Sequence, residues 1–240
     1  MKRKPFFSAR NIAYLAILTA LVIVLQLFAS AIPIGGGATL NFSLVPIVLG
    51  AILLGPLAGC FLGLLCGIII FIQVVMGLTA FYTVIWTNSP VVTFFTCTVK
   101  TTVAGLVAGL LYRLIAKKSR LGASFAASAA VPVLNTALFI LGCLCMTNAI
   151  GIFQGEAGGD YVSMDIFVFI VIALVSFNFF IELAINLVLA PAICRIEHIV
   201  NSKVARYRAD REGSAPQKQN AETTEAAQEE PHTPPTEDKT

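Results

Sequence analysis

The sequence predicts an all-helical, polytopic membrane protein, and two observations carry that prediction. The 240 residues are 57% hydrophobic and only 12% charged, which is about half the charged fraction of a soluble domain. The hydrophobic residues form long runs separated by short polar breaks, the pattern of helices that cross a bilayer. A membrane β-barrel would alternate apolar and polar residues along each strand, and these runs do not alternate.

The first predicted span covers residues 12–34, and the apolar stretch 44–76 is interpreted as two further spans. A single helix over 44–76 would extend about 50 Å, against a hydrocarbon core of about 30 Å. Gly55-Pro56 divides the stretch, because this pair ends one helix and begins another. The second half carries small residues at four-residue spacing, a face on which another helix can lie backbone to backbone. These residues are Gly59, Gly63 and Gly67.

Three further spans, at about 90–112, 124–147 and 166–194, bring the count to six. With six spans, every cluster of basic residues falls on one side of the membrane: before the first span, between spans four and five, and after Cys194. Because basic loops stay in the cytoplasm, this count places both termini there. The loop at 148–165 carries acidic but no basic residues, which agrees with an outer location.

The chain is predicted to consist of a six-helix membrane domain, residues 1–200, and a cytoplasmic tail, residues 201–240. From about Arg208 the composition changes to Ala, Glu, Gln, Thr, Pro and Lys without large apolar residues. Such a segment cannot bury enough apolar surface to fold, so we expect a largely disordered tail.

No set of catalytic residues stands out, because the predicted spans contain one Glu, one Lys and no His. A membrane hydrolase would need paired carboxylates, an HExxH motif or a Ser/His arrangement. The six cysteines lack metal-binding spacing and are interpreted as small apolar residues. The GxxxxGK[ST] motif that binds ATP is also missing, so the energy for any transport must come from elsewhere. We therefore expect no enzyme activity, no cofactor and no metal site.

Polar residues inside the predicted spans mark a candidate binding region. Asn178, Glu182 and Asn186 follow one another at four-residue spacing, so they share one helical face. Such side chains face protein, water or ligand, because a charge at mid-bilayer costs at least about 2.5–3.5 kcal/mol. Lys100 and Glu182 are predicted to lie at similar depth. We expect either a structural ion pair between them or a Lys100 that contacts a substrate carboxylate.

The predicted outer loop at 77–89 is uncharged and aromatic, and it holds the only tryptophan, Trp86. Tryptophan at the edge of a span is usually an interfacial anchor. A stacking wall or lid over a ligand is the alternative interpretation.

Three features carry a resemblance to a known family: six spans in a small chain, the pair Ala16-x-x-x-Ala20, and the hairpin NFSLVPIVLGAILLGPLAGCFLG at residues 41–63. Over about residues 10–195 the chain resembles an S component of the energy-coupling-factor (ECF) transporters. These S components are the substrate-binding membrane subunits of bacterial and archaeal vitamin-uptake systems.

The resemblance implies that Ala16 and Ala20 dock against a transmembrane coupling subunit, which works with two ATPase subunits. It also implies a substrate pocket in the outer half of the membrane, enclosed by the first outer loop and spans four to six. By position, this pocket would be lined by Asn41, Trp86, Lys100, Asn135 and Asn178. Glu182, on the polar face of the sixth span, is added to this set.

Lys100 favours a carboxylate-bearing vitamin such as pantothenate or folate, and riboflavin stays open as a third class. The resemblance implies a multi-pass protein of the plasma membrane, in contact with lipid and without a nucleic-acid partner. The alternative function is a non-transporting membrane scaffold or assembly protein, in which the glycine and alanine faces serve only helix packing.

Overall fold

The computed structural model describes residues 9–30 and 41–228. The glycine-rich loop predicted at 35–37 and the basic residues 2–4 lie outside the described residues, as does the end of the tail from 229. The described residues form helices and turns only.

The helices are α1 (Ala9–Ser30), α2 (Leu44–Leu53), α3 (Pro56–Val75), α4 (Ala80–Asn88), α5 (Pro90–Ile115), α6 (Arg120–Leu144), α7 (Thr147–Ala157), α8 (Ile166–Phe169) and α9 (Ser176–Gln228). A 3-10 turn, Gly159–Ser163, follows α7. A π-helical segment, Ile170–Val175, joins α8 to α9. The chain divides into two compact units, Met1–Arg195 and Ile196–Thr240, and the first contains the hydrophobic core.

Five helical stretches of the described chain are long and apolar enough to cross a membrane: Arg10–Ala29, Pro56–Val75, Pro90–Ile115, Arg120–Leu144 and Ile166–Val204. The predicted all-helical membrane fold is confirmed at this level. The apolar helix α2 has only 10 residues, so its length of about 15 Å is half of the hydrocarbon core.

The predicted break at Gly55-Pro56 is confirmed, because α2 ends at Leu53 and α3 begins at Pro56. Gly55 has a φ of 105°, a conformation that side chains with a Cβ rarely adopt. Pro56 occupies the first helical position, where its missing N–H would have no partner in the helix.

The glycine face of α3 packs directly on the backbone of α5, as the four-residue spacing predicted. A Cβ added to Gly59 would overlap the carbonyl oxygen of Gly105, and one added to Gly67 would lie 2.7 Å from the carbonyl oxygen of Cys97. The two helices approach this closely only because glycine lacks a side chain. This crossing fixes α5, which carries Lys100, at the centre of the bundle.

Two segments predicted as outer loops are helical. Residues 77–89 contain α4, which begins after Thr79, whose Oγ1 accepts a hydrogen bond from the Tyr82 N–H at 3.1 Å. Residues 148–165 contain most of α7 and the 3-10 turn. Both segments do connect candidate spans, but their short helices were not predicted, because hydropathy identifies the segments that enter the membrane and says little about the structure between them.

The helix α9 continues to Gln228, through residues for which composition predicted disorder. Several residue types that are frequent in this segment, Ala, Glu and Gln, have high helix propensity and can form a helix without a core. The prediction of a disordered tail is therefore not confirmed.

Candidate functional site

A cavity in the first unit is lined mainly by α4, α5, α6, the end of the π-helical segment and the first turns of α9. Five of the six residues predicted from the sequence line it together. These are Asn41, Lys100, Asn135, Asn178 and Glu182. Side chains from segments far apart in the sequence therefore converge on one space.

The helical period accounts for this convergence. On α6, Asn135 and Phe139 are four residues apart, and on α9 the same spacing separates Asn178 from Glu182, so each pair shares a face. The π-helical segment before α9 adds further lining residues at its C-terminal end. Segments of this type are rare and occur frequently at functional sites.

Glu182 is buried, with 6% of its surface exposed. Its Oε1 accepts a hydrogen bond from the backbone N–H of Asn41 at 2.8 Å. One turn further along α9, Asn186 Nδ2 donates to the Glu182 carbonyl oxygen at 2.8 Å. The Glu182 carboxylate therefore ties the start of the α2 segment to α9 at the edge of the cavity.

Lys100 is half-buried, and its Nζ lies 4.8 Å from the centroid of the Phe139 ring, a cation–π contact. Within the described chain, its Nζ makes no ion pair within 4.0 Å with the Glu182 carboxylate. The ion pair considered from the sequence is thus not formed, because each charged group takes a different partner. Both charges still line the same cavity.

Three buried amide atoms of the cavity residues have no hydrogen-bond partner among the described residues. They are Asn41 Nδ2, Asn135 Oδ1 and Asn178 Oδ1. A buried polar atom without a partner costs about 1–3 kcal/mol. A bound molecule that supplies partners to these atoms would recover that cost, and this makes the cavity a candidate binding site.

A second group of polar side chains holds Asn41 in position through hydrogen bonds. Gln26 Nε2 of α1 donates to Gln73 Oε1 of α3 at 3.2 Å, and the Ser43 hydroxyl contacts Gln26 Oε1 at 2.9 Å. The same hydroxyl also hydrogen-bonds Asn41 Oδ1. This network joins α1, α3 and the start of α2, and it ends at the residue whose N–H binds Glu182.

Trp86, the sixth predicted site residue, does not line the cavity. Its ring packs edge-to-face on Phe71 with centroids 5.5 Å apart. Phe81 and Tyr82 of the same helix line the cavity instead. Trp86 lies five residues after Phe81, so its side chain points about 140° away from that of Phe81 around α4. A segment interpreted as a loop has no helical faces, so the sequence could not distinguish these two side chains.

Several lining residues were not identified from the sequence, among them Gln26, Thr93 and Thr96. An amide in the otherwise apolar first span was an available signal for Gln26. Threonine is a weaker signal, because its hydroxyl often bonds a carbonyl of its own helix. Thr93 Oγ1 instead donates to the Ile85 carbonyl of α4 at 3.0 Å, which holds α4 against α5.

The candidate docking residues lie on the outward face of α1. Ala16 and Ala20 are exposed, whereas Leu18 and Val22 are buried against the rest of the unit. A small-residue face on the surface of a membrane helix leaves room for a second helix to approach closely.

A bundle of membrane helices around a cavity lined by buried amides and two charges defines a class, that of membrane proteins that bind a small polar molecule. Within this class, residues 10–194 match the model of the family described as ECF transporter, substrate-specific component. The chain belongs to that family, and the resemblance noted from the sequence is confirmed. The family is one of transport-related membrane subunits and not of enzymes. A search of curated proteins found no match.

Proposed function

We propose that this chain is the high-affinity substrate-binding subunit of an ATP-driven transporter for a vitamin of the pantothenate, folate or riboflavin class. The substrate lies in the cavity between α4, α5, α6 and α9, and Asn41, Lys100, Asn135, Asn178 and Glu182 contact it. Trp86 is left out of the contact set because its ring packs on Phe71.

One observation carries the proposal: Lys100 and Glu182 line one cavity without pairing with each other. Charged groups inside a membrane protein are costly unless a partner compensates them. A substrate carboxylate at Lys100 supplies such a partner and accounts for the preference for carboxylate vitamins.

The proposed topology has six crossings, with the short α2 counted as one and with both termini in the cytoplasm. The position of Gly55 supports it, because a Cβ on Gly55 would lie 2.5 Å from Arg113 Nη2 at the basic end of α5. The turn between α2 and α3 therefore lies beside the basic cluster that follows α5. Basic loops are cytoplasmic, so α2 must return the chain to that side after α1 has left it.

The energy for transport comes from partners, a transmembrane coupling subunit with two ATPase subunits in the plasma membrane. The outward face of α1 around Ala16 and Ala20 is the proposed docking surface. Exposed small residues support this assignment, since they allow another helix to pack backbone to backbone.

The fold removes one argument for the scaffold alternative, namely that the glycine face of α3 serves assembly with another protein. The glycine face of α3 is already covered by α5, so it is not available for assembly with another protein. A scaffold also gives no reason for unpartnered amide atoms around an internal cavity.

Direct binding tests the proposal. The purified full chain in lipid nanodiscs should bind pantothenate, folic acid or riboflavin saturably, with one site per chain, in a calorimetric titration. Asn135→Leu replaces a cavity amide with an apolar side chain of similar size and should lower the affinity for the vitamin about tenfold or more. Ala137→Leu on the outward face of the same helix is the matched control and should bind as the wild type does.

Absence of binding for all three vitamins would contradict the proposal and favour the scaffold. Equal losses of affinity in Asn135→Leu and Ala137→Leu would show that the vitamin binds elsewhere than in the cavity.

A further inference from the structure

The polar network that holds Asn41 has one proton too few for the contacts that it makes. The Ser43 hydroxyl lies 2.9 Å from Gln26 Oε1 and also contacts Asn41 Oδ1. Both partners are amide oxygens, which only accept hydrogen bonds, whereas a hydroxyl has a single proton to donate. All three side chains are buried, where an acceptor without a donor is costly. One of the two amides must therefore turn and present its amino group to Ser43.

The Cys66 thiol does not relieve this competition. Its Sγ lies 3.0 Å from Ser43 Oγ, but 3.8 and 3.9 Å from the amide oxygens of Gln26 and Asn41. A thiol is a weak donor, so at these distances it does not replace the hydroxyl proton at either oxygen. The choice lies between the two amides.

The main chain of α1 fixes the orientation of Gln26. A main-chain carbonyl only accepts hydrogen bonds, and it cannot exchange its atoms as a side-chain amide can. Gln73 Nε2 donates to the Gln26 carbonyl at 3.5 Å, and Gln73 Oε1 accepts from Gln26 Nε2 at 3.2 Å. Gln26 Oε1 is thereby directed to Ser43 and takes the hydroxyl proton.

Asn41 is then the amide that turns. A half-turn about the last bond of its side chain exchanges Oδ1 and Nδ2 with no change of shape. Nδ2 otherwise has no partner among the described residues, and after the turn it donates to Ser43 Oγ. The main chain of Asn41 stays in place, because its N–H is bonded to Glu182 Oε1. The turn satisfies a buried amino group and leaves Oδ1 as the atom of Asn41 that can meet a ligand.

On these grounds we propose that Gln73, Gln26 and Ser43 are positioning residues, which hold Asn41 with its carbonyl oxygen and not its amino group available to the cavity. Every hydrogen bond of this relay is donated towards the main chain of α1. The substrate therefore places an N–H or O–H group against Asn41, and a group that only accepts hydrogen bonds is rejected there. Gln73 lies outside the cavity lining, so it sets this specificity without touching the substrate. The inference rests on the proposed function and adds a specificity rule to the same site.

The orientation of Asn41 can be measured without a ligand. In the full chain in lipid nanodiscs, with asparagine and serine selectively labelled, nuclear magnetic resonance reports which protons lie close together. The wild type should show a strong nuclear Overhauser cross-peak between the Asn41 amino protons and the Ser43 β protons, because Nδ2 faces Ser43. The Asn41 signal is identified by its absence from the spectrum of Asn41→Gln.

Gln73→Leu removes the anchor of the relay and nearly keeps the side-chain volume. Gln26 is then free to turn its amino group to Ser43, whose proton passes to Asn41 Oδ1, so the strong cross-peak should be lost. The substrate donor then meets the Asn41 amino group. The affinity for whichever of folic acid, pantothenate and riboflavin binds to the wild type should fall about tenfold or more.

Gln154→Leu is the matched control. Gln154 is also a buried glutamine, but it donates to the carbonyls of Tyr161 and Met164, outside both the relay and the cavity lining. This variant should keep the cross-peak and bind the same vitamin within about twofold of wild type. If Gln73→Leu does not fold, Gln73→Met, which is unbranched like glutamine, takes its place in the comparison.

A folded wild type without the strong cross-peak would overturn the inference. A Gln73 variant with the cross-peak or the affinity of wild type would overturn it as well, and so would equal losses of affinity in the Gln73 and Gln154 variants. If none of the three vitamins binds, the proposed function fails, whereas the cross-peaks still decide the orientation of Asn41.

Discussion

Lys100 and Glu182 line the same cavity, yet each meets a neutral partner, the Phe139 ring and the Asn41 N–H respectively. This arrangement supports the binding role proposed for Lys100 over a structural ion pair. A structural ion pair would hold the two helices together in the empty protein. Two charges that face a common space without pairing instead leave both groups available to a ligand.

The prediction at the residue scale concerns Lys100→Met, Glu182→Gln and the double variant. We expect Lys100→Met to fold and to bind a carboxylate vitamin, folic acid or pantothenate, about ten- to a hundredfold more weakly, because a charged hydrogen bond is lost. Adding Glu182→Gln should not restore binding or raise thermal stability above that of either single variant. Affinity would be measured by titration and stability by thermal unfolding.

A double variant that recovers the stability lost in both single variants would indicate a structural pair and would contradict this assignment. Unchanged affinity in a folded Lys100→Met protein would contradict it as well.

The crossing of α3 and α5 is the element on which the site depends, because it fixes the α5 face that carries Lys100. At its centre, a Cβ on Gly63 would overlap the carbonyl oxygen of Thr101. The contact is with backbone, so no side chain can move aside to relieve it.

Gly63→Ala should therefore lower the free energy of unfolding by about 1–3 kcal/mol, as overpacking does in tightly packed protein interiors. Gly151→Ala is the matched control, since a Cβ on Gly151 of α7 meets no atom within 4 Å. That change should be neutral or should stabilise by up to about 1 kcal/mol through helix propensity. Thermal unfolding in detergent would compare them, and equal stability of the two variants would refute the close crossing.

Sequence periodicity predicted this crossing well, because glycine at four-residue spacing in an apolar helix has one main use. It also predicted that Asn135, Asn178 and Glu182 face protein, since polar groups avoid lipid. It made no prediction for α4, where Phe81 lines the cavity and Trp86, placed in the pocket by the family resemblance, does not. Which face of a short helix points inward depends on what packs around it, and composition does not contain that information.

The helix α1 has two distinct faces. Val22 and Gln26 are buried, whereas Ala16 and Ala20 remain exposed on the opposite side. The inner face of α1 also connects to the cavity, because Gln26 lines it and belongs to the network that positions Asn41. The proposed binding and docking surfaces thus lie on opposite faces of one helix, and substitutions can alter each one separately.

The measurement that tests the account most directly compares substrate binding with uptake in the variant Ala16→Leu/Ala20→Leu. Added bulk at a small-residue contact forces two helices apart, so uptake in cells that contain the coupling subunits should be abolished. Affinity of the purified variant for the same vitamin should stay within about twofold of wild type, because these side chains point away from the cavity. Ala137→Leu, a change of the same size on the outward face of α6, should leave both quantities unaltered. Normal uptake by the double variant would contradict the account.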